Sequence, residues 1–124
     1  MDKRVKRRVA TWQGVGVLYD NGQKVSQAQY NVEVWQEFII VRAMGEGGPS
    51  EQPGHKETVG AIVLQSPTAD LILGEHDPLL VMEDGRGLRF IARQQKHRAG
   101  GVYCSILGNG APLSPEEVQA AISV

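Results

Sequence analysis

Asn21-Gly22 constrains this chain more than any other pair of residues, because it fixes where the first two strands turn. A type I′ turn needs φ > 0 at both central positions, and Asn-Gly between alternating apolar residues meets that need. Folding there pairs Asp20 with Gln23, Tyr19 with Lys24, Leu18 with Val25 and Val17 with Ser26. One face then collects Val9, Val15, Val17, Tyr19, Ala28, Tyr30, Val32 and Val34. The other carries Gly14, Gly16, Gln27, Gln29, Asn31 and Glu33, as a half-buried sheet requires.

The second strand is expected to run through Trp35, with a bend or bulge at 35–37, into Phe38-Ile39-Ile40-Val41. That run is apolar on both faces, which predicts a covered strand. Residues 44–57 hold four glycines and two prolines with mixed charge, and are expected to form a flexible loop. Val59–Leu64 reads as a strand, and Leu71-Ile72-Leu73 as a short apolar segment. Asp84-Gly85 predicts a second type I′ hairpin, with Glu83 opposite Arg86 as an ion pair, Val81 opposite Leu88 and Leu79 opposite Phe90. Val102–Leu107 is the last predicted strand. Ser114-Pro115-Glu116-Glu117 is a capping box that opens a helix over 115–123. The expected fold is a single all-β domain over 1–124. It is an antiparallel small barrel or sandwich of about six to eight strands with one short C-terminal helix.

At 124 residues the chain can bury a core without staples, and its single cysteine, Cys104, excludes an intrachain disulfide framework. That usage fits a reducing compartment, and the Met1-Asp2-Lys3-Arg4 start reads as an intact cytoplasmic one. No run reaches the ~20 apolar residues of a membrane-spanning helix. Of thirteen basic and fourteen acidic residues, the first eight positions hold five basic and one acidic. The remainder is therefore an acidic body, carrying eight basic and thirteen acidic side chains. A basic arm on such a body suits nucleic acid or an anionic surface, and equally suits a solvated strand start.

Few residues carry the pattern of a reaction. Gly14-Val15-Gly16 lies inside a strand, and Gly45-Glu46-Gly47-Gly48 lacks the Gly-Lys-Ser/Thr ending of a phosphate loop. Glu75-His76-Asp77 is the densest group of metal-ligand types, but consecutive residues do not converge on one ion, and His55 and His97 lie elsewhere. Cys104 alternates with Val102 and Ile106 as a buried thiol, and Ser105 has no nucleophile elbow. Glu83-Asp84 belongs to a turn, and Glu116-Glu117 to a helix start. No catalytic, metal or cofactor site is expected.

The remaining constellation is basic. Arg86, Arg89, Arg93, Lys96, His97 and Arg98 occupy thirteen residues without an acid. Arg89 and Arg93 are expected on the solvent side of a strand, with Lys96 to Arg98 in the loop beyond, and with Tyr103 or Trp12 as a stacking ring. The preferred reading is a non-catalytic binding or assembly module, with self-association through an edge strand as one route. The alternative is a small barrel that binds nucleic acid or another polyanion through the 86–98 face and the basic N-terminal arm. A third class is a small enzyme with a loop-built site near His55 and His76.

Overall fold

The computed structural model describes residues 3–42, 49–65, 76–98 and 101–122. Among these residues the chain is antiparallel β with one short helix, as expected: β1 (Lys3–Asp20), β2 (Gln23–Arg42), β3 (Pro49–Leu64), β4 (Pro78–Val81), β5 (Gly87–Arg98), β6 (Gly101–Gly108) and α1 (Pro115–Ile122). The strands follow one another in the order β1-β2-β3-β6-β5-β4, and β4 pairs back onto β1 to complete a ring. The segments 45–48 and 71–73 and residue Glu75, singled out above, lie outside the described residues.

Asn21 and Gly22 adopt φ of 52° and 81°, as the turn requires. Asp20 pairs with Gln23 and Tyr19 with Lys24, but then the register shifts and Leu18 faces Ser26. Val25 is the extra residue of a β-bulge. A one-residue slip moves every later side chain of a strand to the opposite face. The expected core face is therefore right for β2, where Ala28, Tyr30, Val32 and Val34 are buried, and wrong for β1. On β1 it is Gly16 and Leu18 that face inward, with Trp12 packed against the core, while Val9 and Val15 are 49% and 44% exposed.

The core is completed by Ile62 and Leu64 of β3, Leu80 of β4, Met82, Leu88 and Phe90 of β5, and Val102, Cys104 and Ile106 of β6. Cys104 is a fully buried thiol. Closing the ring brings β1 and β4 very near each other, and Gly16 permits it: a Cβ there would lie 2.2 Å from the Val81 carbonyl oxygen.

The second turn differs from the expected type I′. Gly85 has φ 89°, and Asp84 is not in the left-handed region. The Gly85 N–H donates to the Met82 carbonyl and the Met82 N–H to the Arg86 carbonyl, which makes a three-residue loop ending in a left-handed glycine. The extra residue moves the pairing to Val81 with Gly87, Leu80 with Leu88 and Leu79 with Arg89.

The expected loop over 44–57 is corrected from residue 49 onward, because Pro49 to Glu57 belong to β3 and pair along β2. Glycine and proline content concealed the strand, and the chain accommodates it with a register shift between Gln36 and Phe38 that skips Gly54 and His55. As a result β1, β2 and β3 outrun the ring. Residues 3–16 of β1 and 49–58 of β3 pair with β2 alone, which makes a three-stranded extension. Phe38 to Val41 lie at its centre and are half-buried rather than covered.

The helix begins as the capping box predicts, with Ser114 N–H donating to Glu117 Oε1 and Glu117 N–H to Ser114 Oγ, both at 3.2 Å. Val118 is its buried contact, set against the bare backbone of Gly87, where an added Cβ would lie 2.6 Å from Val118 Cγ2. No described helix is long and apolar enough to cross a membrane.

Candidate functional site

Two features stand out: a cleft where the extension leaves the ring, and the open edge of the extension itself. The cleft has a volume of about 470 Å³ and is lined by Trp12, Val34, Lys56, Thr58, Arg86 and the Gly108–Pro112 segment. Register explains its make-up. Trp12 lies opposite Val32, Thr58 opposite Val34, and Lys56 opposite Gln36, all on the sheet face that continues the core. Arg86 reaches it from the β4–β5 turn.

Arg86 is held from two directions. Its guanidinium carbon stands 4.9 Å from the centroid of the Trp12 ring, a cation–π contact. Its Nε donates to Asp84 Oδ2 at 2.6 Å, and its backbone N–H donates to Asp84 Oδ1 at 3.0 Å. The backbone N–H of Arg86, followed by its side chain, holds the Asp84 carboxyl below the usual aspartate range, against some desolvation. The turn is itself anchored: Glu83 N–H donates to the Tyr30 hydroxyl at 3.0 Å, and Glu83 Oε1 accepts from Val15 N–H at 2.8 Å. The expected Glu83–Arg86 ion pair is thus replaced by Asp84–Arg86, and Glu83 caps the edge of β1 instead.

The six predicted basic residues do not gather in one cluster. Arg89 donates to Asp77 Oδ1 at 2.7 Å. Asp77 in turn donates its backbone N–H to Asp20, whose other oxygen meets His76 Nδ1 at 2.6 Å. This group ties the start of β4 to the first turn. Arg93 is the exposed extra residue of a bulge between Ala92 and Gln94. Lys96, His97 and Arg98, expected in a loop, belong to β5 opposite Tyr103, Val102 and Gly101. Tyr103 is 38% exposed beside Lys96 in register, and Trp12 belongs to the cleft rather than to the outer face. His55 and His76 are not brought together, since the register places them roughly 40 Å of strand apart along the first hairpin. Among the described residues no three His, Cys, Asp or Glu side chains converge as metal ligands would.

The basic N-terminal arm is ordered as the start of β1, and four of its cations have carboxylate partners. Arg4 meets Glu37 at 3.4 Å, Lys6 meets Glu57 at 3.6 Å and Arg8 meets Glu33 at 3.4 Å. On the other face Arg7 makes a two-pronged pair with Glu51, at 2.8 and 2.9 Å, and lies 5.2 Å from the Phe38 ring centroid. The hydrogen bonds of this fork hold Glu51 below the usual carboxylate range and Arg7 above its own.

Lys56 was illegible as a site residue because 44–57 reads as a loop, and Trp12, expected as a stacking ring for the basic face, was placed on the wrong side by the hidden bulge. The one available signal was Gly14 and Gly16 alternating with Trp12 and Leu18, a small-residue face that marks close approach of another backbone. No protein-family model, curated protein or solved structure matches this chain.

Proposed function

We propose that this protein is a non-catalytic assembly module, a small barrel whose extension pairs edge to edge with that of a second copy. The observation that carries the reading is the ion-pair ladder along β1. Its Arg4, Lys6, Arg7 and Arg8 are matched by Glu37, Glu57, Glu51 and Glu33 of the same chain. Two such edges meet as largely neutral ladders, whereas a polyanion meets little free positive charge.

Residues 3–14 leave roughly 40 Å of β1 backbone without a second neighbour, as far as Val15, whose N–H is capped by Glu83. An edge of that length is a template for strand addition unless it is blunted. The β3 edge is blunted by Pro49 and Pro53 and by its bulge, which turns pairing toward β1. Val9 on β1 is among the exposed large apolar residues, and pairing would cover it.

Sedimentation equilibrium across a concentration series tests this. A mass that rises from monomer to dimer is expected. Thr11→Pro removes a backbone donor on the same side as that of Val15, and it is expected to restore the monomer. Val9→Lys is expected to do so with less effect on the fold. A concentration-independent monomer overturns the reading. Steeply salt-dependent binding of single-stranded nucleic acid by that monomer would put the polyanion reading in its place.

A further inference from the structure

We infer that the cleft at the mouth of the ring is a binding site for a small monocarboxylate carried on an apolar or aromatic body. This site is independent of the edge pairing proposed above. Its volume of about 470 Å³ falls within the ~300–1,000 Å³ range of small-molecule sites. Trp12, Val34 and Pro112 give it apolar walls, and Lys56 and Arg86 supply the polar groups that orient a ligand.

The two cations are unequal. Arg86 commits its Nε to Asp84 and one face of its guanidinium to the Trp12 ring. What remains is the Nη1/Nη2 edge of a fork already locked in place, the geometry that receives a carboxylate through two parallel hydrogen bonds. Lys56 differs from Lys6 and the arginines of β1: among the described residues its ammonium has no carboxylate partner. With Asp84 offsetting Arg86, the cleft carries about one uncompensated positive charge, that of the exposed Lys56 at its rim. One charge matches a carboxylate. A phosphate dianion would bring one more negative charge than the cleft offsets.

Titration with benzoate, read by Trp12 fluorescence in a Trp35→Phe background, tests the assignment. A saturable change in the millimolar range or tighter is expected, with no saturation by benzyl alcohol and weaker binding of inorganic phosphate. Lys56→Gln is expected to raise the dissociation constant about tenfold, whereas Arg93→Gln on the far strand leaves it unchanged. Thermal melts check that each variant is folded. Lack of saturation by benzoate, equal affinity in Lys56→Gln, or phosphate binding tighter than benzoate would each overturn the inference.

Discussion

A Cβ on Gly16 would stand 2.2 Å from the carbonyl oxygen of Val81, and no side chain larger than hydrogen fits between β1 and β4 at that point. The atom in the way is backbone, so relief requires the two strands to part. Gly16→Ala is expected to destabilise the fold by about 2–4 kcal/mol, at the high end of overpacking effects. Urea unfolding would read it as a lowered midpoint, with the larger part of the loss at the β1–β4 seam by hydrogen exchange.

The first turn makes a separate demand on the backbone. Gly22 has φ 81° and follows Asn21 at 52°. Gly22→Val places a β-branched residue in the left-handed region, with an expected cost of about 1–3 kcal/mol. Gly22→Asn, which tolerates that conformation, should recover most of it. Equal midpoints for the two variants would remove the turn from the account.

The helix cap gives a smaller effect. Ser114→Ala deletes the acceptor for Glu117 N–H and is expected to cost about 1 kcal/mol. Because Val118 is the buried contact of α1, Val118→Ala should cost more, about 1–3 kcal/mol. Denaturant melts of the two variants provide the comparison.

Acid should release Arg86. Its hydrogen bonds hold the Asp84 carboxyl below the usual aspartate range. A depressed value in the folded state means that stabilisation is present above the unfolded value and is lost as pH falls through the folded one. In a Trp35→Phe background, Trp12 emission should therefore change with a midpoint below the ordinary aspartate range, and Asp84→Asn should abolish that transition. A midpoint at or above the ordinary value would contradict the Asp84–Arg86 geometry.

What the sequence determined by itself were the local devices. The Asn21-Gly22 turn, the Ser114/Glu117 cap, the inward face of β2 and the burial of Val102, Cys104 and Ile106 all follow from residue types at short spacing. Each depends only on φ preference or period, which neighbours in the chain decide. Tertiary structure decided the rest. The Val25 bulge exchanged the faces of β1, because closing the ring needs a glycine, Gly16, at the inward position beside the Val81 carbonyl. Pairing along β2 made a strand of Pro49–Glu57 in spite of its glycine and prolines, since backbone hydrogen bonds to a formed neighbour outweigh weak local propensity. The cleft joins Trp12, Lys56 and Arg86 from three distant segments, and no spacing in the sequence records a contact that arises only when the ring closes.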